Sequence, residues 1–220
     1  PRPSQEHEAG TVWLDAGAQA VDTLDGTLLA SSIDVHGAPT GLVLGTFEVV
    51  YAIKDAAGNE GEATRTVVVK DTKAPVLTLL GATAVQVLQD TPYQDAGATA
   101  RDAFEGVLTS RITTSGLPVD TSVVRTSVIR YDVSDSSGNE ARTLRRNVQV
   151  LDKHVEAAAR EAAADEYFEH MQTTGDPQQA RDAALAKYHA LGGQLVETGP
   201  VVSQAQQTYS DRTDSDDTSL

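Results

Sequence analysis

The 220-residue chain has no cysteine, one tryptophan and one methionine. Disulfides, thiolate metal centres and cysteine nucleophiles are therefore excluded, and an exported domain must stand on packing alone. Only 5% of the residues are aromatic, so the cores have to be built from Val, Leu, Ile and Ala. No stretch approaches the roughly 18 apolar residues of a membrane helix, and the opening PRPSQEHEAG has neither the basic end nor the apolar segment of a signal peptide. Any export signal is expected to lie outside this chain, and no direct membrane insertion is expected. Positive charge is scarce as well, with 17 Lys and Arg against 32 Asp and Glu and a net charge of -15. Nucleic acid and anionic membrane both need a basic footprint to displace counterions, so neither is an expected partner. No phosphate-binding glycine loop, G-x-S-x-G, H-E-x-x-H or N-x-S/T signal can be written over the sequence, and the five histidines have no zinc spacing. No catalytic residue is assigned, and the chain is not expected to be an enzyme.

What the sequence does contain is an internal repeat. WLDAGAQAVDTLDGTLL from Trp13 matches YQDAGATARDAFEGVLT from Tyr93, and YAIKDAAGNE from Tyr51 matches YDVSDSSGNE from Tyr131; from 13 to 93 and from 51 to 131 the offset is the same 80 residues. A constant offset over two separated blocks marks a repeated structural unit. Within each unit the pattern alternates with period two: Phe47, Val49, Tyr51 and Ile53 share one face, as do Ile129, Tyr131 and Val133. Each run ends in D-x-x-G-N, a hairpin turn in which Asp55 or Asp135 accepts backbone bonds and Gly58 or Gly138 takes positive φ. The returning strands place Val67 and Val69, or Val148 and Val150, inward. Short strands and turns in units of this size predict antiparallel β-sandwiches.

The A-P-V start, the D-A-G-A block, the D-x-x-E/D-G-x-L block and the D-x-x-G-N turn together resemble the bacterial immunoglobulin-like repeats of surface proteins, close to the hyalin-repeat type. The resemblance covers residues 72–151 and, less fully, 11–71. It implies an extracellular or cell-surface protein of the kind found in adhesins, stalks, appendages and accessory modules of secreted enzymes. Twenty residues from Lys73 to Pro92 precede Tyr93, with strands expected at Val76–Leu80 and Val85–Leu88, but only twelve precede Trp13. The first repeat is thus expected to lack its first strand, either because the chain is part of a longer polypeptide or because a neighbour donates one.

After Asp152 the character changes. KHVEAAAREAAADEYFEHM predicts a helix capped by Asp152, with a stripe of Ala157, Ala164, Phe168 and Met171. A second helix, capped by Asp176 with Pro177 in its first turn and Gln179 completing a capping box, carries Ala180, Ala184, Tyr188 and Leu191 on its inner face. The expected organisation is mostly β: repeat 1 over 1–71, repeat 2 over 72–151, a helical hairpin over 152–193, and a disordered or partner-ordered acidic linker or tail over 194–220.

No cofactor is required by these features. Asp22, Asp25, Asp71, Asp102 and Glu105 read in two ways, as calcium ligands at an acidic junction or as turn formers whose carboxylates cap backbone amides. Tyr167, Phe168, Met171, Tyr188 and Leu191 are the expected contact for another chain or a neighbouring domain. The function expected is a non-catalytic structural or adhesive module, a spacer or assembly subunit of a stalk, filament or appendage able to form homo-oligomers. The alternative is an accessory binding region of a secreted multidomain enzyme.

Overall fold

The structure, a computed structural model, describes residues 4–194 and 199–216. Two compact units divide the chain. One holds Pro1–Thr78, Ala98–Thr113 and Asp132–Thr143; the other holds Leu79–Gly97, Thr114–Tyr131 and Leu144–Leu220.

In the first unit, β4 (Asp34–His36), β5 (Gly45–Lys54) and β6 (Glu60–Lys70) form an antiparallel sheet, and β1 (Ser4–Glu8) adds to β6 in parallel. The alternation in β5 and β6 acts as the pattern requires: Val49, Tyr51, Val67 and Val69 are buried, with Ala9 completing their cluster. The D-x-x-G-N turn closes through Asp55, which accepts Asn59 N at 2.7 Å and Asn59 Nδ2 at 2.6 Å. β2 (Ala20–Asp22) and β3 (Gly26–Leu28) make a separate two-stranded hairpin. The same unit contains most of the sheet ordered β10 (Gly106–Val107), β9 (Ala98–Asp102), β7 (Val76–Leu79).

The second unit carries most of the sheet β11 (Thr113–Ser115), β12 (Thr126–Asp132), β13 (Leu144–Leu151), β8 (Ala84–Leu88). β8 runs parallel to β13 as β1 does to β6, with Ala84 holding the place of Ser4. β1 is therefore the counterpart of β8. No counterpart of β7 is present in the first repeat among the described residues.

The helices follow β13. α1 (Lys153–Thr174) starts at Asp152, which accepts His154 N and Val155 N, and stops at Gly175 in the left-handed region. α2 (Pro177–Ala190) is capped by Asp176. Gln179 Nε2 donates to the Asp176 carboxylate at 3.0 Å, whereas in a capping box its side-chain oxygen would accept the Asp176 backbone N–H, which here donates to Thr174 Oγ1 at 3.2 Å. Three expectations change here. The buried stripe of α1 is Ala159, Ala163, Ala164 and Tyr167, while Ala157 is exposed. On a helix with alanine on every side, small residues alone do not say which face packs. Leu191 lies beyond α2 and is exposed. The stretch read as linker or tail contains α3 (Gly199–Asp216), whose Val201, Ala205 and Tyr209 pack on α1 and α2, so that a three-helix group takes the place of the expected hairpin. Residues 195–198 and 217–220 of the expected tail lie outside the described residues. Buried Glu156 is satisfied by the Tyr188 hydroxyl and by Gln194 N at 2.8 Å.

Candidate cation site and strand-accepting groove

The D-A-G-A block builds the same polar core in each repeat. In the first, Asp15 Oδ1 accepts from Tyr51 OH at 2.5 Å, Arg65 Nη1 at 2.6 Å and Gly17 N at 3.0 Å. In the second, Asp95 accepts from Tyr131 OH, Tyr93 OH, Arg146 Nη1 and Gly97 N. Both arginines also donate to the carbonyl of the glycine two residues past the aspartate. Burial alone would raise Asp95, but these donors hold its carboxyl below the ordinary value. Burial pushes Tyr51 up to about 12, with Asp15 adding to the shift, and likewise raises Tyr131 and Tyr93. These aspartates are internal counterions and not open ligands.

Of the carboxylates read as calcium ligands, the structure brings together only some. Asp22 Oδ1 accepts Leu24 N and Asp25 N, and Asp25 accepts Ala56 N at 3.0 Å. Glu105, the counterpart of Asp25, accepts Ser136 N at 2.5 Å and pairs with Arg111. For Asp22, Asp25 and Glu105 the turn-forming reading therefore describes their contacts. Asp71 and Asp102 instead converge with Asp135, a residue sequence reasoning had assigned only to its turn. One carboxylate oxygen from each lies within 4.8 Å of the others, and the three residues are 7%, 2% and 3% exposed. The repeat register made Asp102 the equivalent of Asp22 and Asp135 the equivalent of Asp55, but nothing in it put the linker residue Asp71 beside them.

The chain around Asp71 is pinned. Asn139 Nδ2 donates to the Asp71 carbonyl at 3.1 Å, Ser137 Oγ to its Oδ2 at 3.3 Å, and Thr72 Oγ1 to Glu8 at 2.6 Å. Phe104, from the β9–β10 turn, packs against the Ala9, Val49 and Val67 cluster of the first repeat. Burial pushes the Asp71 carboxyl above its usual value, and the like charges of Asp102 and Asp135 add to it. Burial acts upward on Asp135 too, but bonds from Asn139 and neighbouring amides bring it below its ordinary value.

A second feature separates the repeats. Leu77 of β7 packs on the buried cluster of Ala100, Leu108 and Val133, as do Ile112 and Ala141. Their counterparts in the first repeat, Ala20, Leu28, Ile33, Ile53 and Gly61, line an open cavity of about 370 Å³ beside β2. Among the described residues no third strand pairs with that hairpin.

The residues expected to meet a partner lie elsewhere. Tyr167 and Tyr188 are enclosed among the chain's own helices, Phe168 packs toward Tyr209 of α3, Met171 packs against the same helical cluster, and of the five only Leu191 is exposed. The alanine-rich helices needed a further surface, and α3 supplies it, which is why this contact is internal.

Two cysteine-free repeats of paired sheets, each with the same Tyr-Asp-Arg core, define a protein of tandem immunoglobulin-like sandwiches. The chain belongs to the family described as bacterial surface protein, Ig-like domain, whose model matches residues 3–69 and 77–150. No match is found among curated proteins. Solved structures similar to parts of the chain include a lipoprotein of Bacteroides thetaiotaomicron, 20% identical over 36% of this chain and 38% of that one, with a TM-score of 0.33. A Clostridium perfringens protein comprising an M60 catalytic domain with two CBM51 domains is 12% identical over 69% of this chain and 30% of that one, TM-score 0.40. The fibronectin(III)-like modules of Clostridium thermocellum CbhA are 15% identical over 71% and 94%, TM-score 0.28. The chain thus spans well under half of the first two relatives. No helix among the described residues is long and apolar enough to cross a membrane.

Proposed function

We propose that this chain is a non-catalytic structural module of a bacterial cell-surface or extracellular protein, in which repeats are threaded in series to space or assemble other parts. The observation that carries this reading is the groove beside β2. In the second repeat the equivalent groove is filled by β7, a strand that leaves β6 of the first repeat after only the five residues Asp71–Pro75. The first repeat therefore hands a strand forward to the second, and its own groove is shaped to receive one in the same way from a segment before it. The occupant is an extended segment with the chemistry of Ala74–Leu79, donating main-chain bonds to the free edge of β2 and an aliphatic side chain to the cavity.

The test is to place a copy of Asp71–Leu80 directly before Pro1, which keeps the spacing seen between β7 and β8. Burying one leucine-sized side chain stabilises by about 2 kcal/mol, so the first repeat should melt several degrees higher. The same extension with Asp in place of its Leu77 equivalent should give no rise. Equal melting of all three chains would overturn strand capture.

A further inference from the structure

We propose that Asp71, Asp102 and Asp135 form a binding site for a divalent cation, calcium by the chemistry of its donors. Three buried carboxylates meeting within 4.8 Å would repel one another unless a positive charge lay among them. Each of the three is nonetheless part of a well-made local structure. Asp102 Oδ1 accepts Phe104 N at 2.7 Å and Glu105 N at 2.9 Å. Asp135 Oδ1 accepts Asn139 N at 2.8 Å, and Asp71 Oδ2 accepts Ser137 Oγ.

A second observation is independent of the clustering. Asp102 Oδ2 is shut away from solvent and accepts no hydrogen bond. A buried anionic oxygen without a partner is costly, and its own turn uses only the other oxygen. No arginine or lysine ion pair is formed with Asp71, Asp102 or Asp135 among the described residues, in contrast to Asp95 with Arg146. A cation is the group that answers both facts.

The donor set selects its class. All three side chains offer oxygen, and among the described residues no histidine joins them, which favours a hard cation. Magnesium holds most of its water and takes one or two carboxylates in strict octahedral geometry, whereas calcium accepts six to eight oxygens with looser angles. Three carboxylates from separate segments suit calcium. Because Asp71 belongs to the linker while Asp102 and Asp135 belong to turns of the second repeat, the ion would tie the linker to the repeat it leads into. The first repeat shows what lacks the third ligand: Asp22 and Asp55 hold the turn positions of Asp102 and Asp135, yet only Asp71, Asp102 and Asp135 form such a group among the described residues. The proposal does not depend on strand capture by the first repeat.

Calcium chloride titrated into the metal-free 220-residue chain tests it by calorimetry and thermal unfolding. One ion should bind per chain, with a dissociation constant on the order of 10⁻⁴ to 10⁻³ M, as in extracellular modules, and raise the melting temperature. Asp102→Asn keeps the acceptor for Phe104 N and Glu105 N while removing one charge. It should melt at or above the unmodified chain without calcium, lose at least tenfold in affinity, and gain no stability when calcium is added. Asp71→Asn should lose the response in the same way, and provides the reading if Asp102→Asn does not fold. Asp22→Asn, at the equivalent turn of the first repeat, should respond like the unmodified chain. Absence of saturable binding to the unmodified chain, or a calcium response that persists in a folded Asp102→Asn or Asp71→Asn variant, would overturn the site.

Discussion

A guanidinium that is only 1% exposed must find partners for its donors inside the protein, and Arg146 does so with Asp95, Tyr131 and the carbonyls of Leu80, Ala82 and Gly97. Arg65 plays the same part for Asp15 and Tyr51, but its side chain is 19% exposed. Removing one partner of a buried pair strands the other charge. Arg146→Met is therefore expected to cost about 3–5 kcal/mol, and Arg65→Met about 1 kcal/mol in the wetter site, measured by urea unfolding. The pH dependence gives the sign of the interaction. Asp95 is held below its ordinary value in the folded chain, so its contribution is present above about pH 4 and is lost as acid protonates it. Arg146→Met should flatten that acid limb. Of this core, the sequence displayed the D-A-G-A block and the tyrosines at constant offset. It did not show that the aspartate faces an arginine, because that arginine arrives from a strand about 50 residues away.

At the scale of elements, strands were easier to read than helices. β5, β6, β12 and β13 alternate because one face of each is buried, and a shift by one residue would expose Val49, Val67, Val69, Val148 and Val150. α1 has no such contrast. Alanine lies on all its sides, and the face that packs was settled by where α2 and α3 sit. α3 itself rests on a narrow stripe of one residue per turn, Val201, Ala205 and Tyr209, set in polar sequence. That spacing of four was visible, but as a stripe it is thinner than the usual amphipathic face. Ala205→Asp places a carboxylate in a fully buried position and is expected to cost 3 kcal/mol or more, roughly the scale of an unpaired buried charge. Hydrogen exchange should show α1 amides losing protection together with α3. If only α3 amides exchanged faster, α1 would be stable without it.

At the scale of the whole molecule, acidic residues outnumber basic ones by 32 to 17. The resulting net charge of -15 favours solubility, because chains that carry it repel one another.

The sequence by itself determined the repeat, its strands and turns, the absence of disulfides and the helical change after Asp152. All of these are local patterns or comparisons of the chain with itself, and such signals survive in one dimension. Tertiary structure decided the rest. It separated carboxylates that cap turns from those that converge, joined the linker residue Asp71 to two turns of the second repeat, and turned an expected partner surface into the inside of a three-helix group. Those outcomes depend on contacts between segments distant in the chain, and periodicity records only which side a residue faces, not what it meets there.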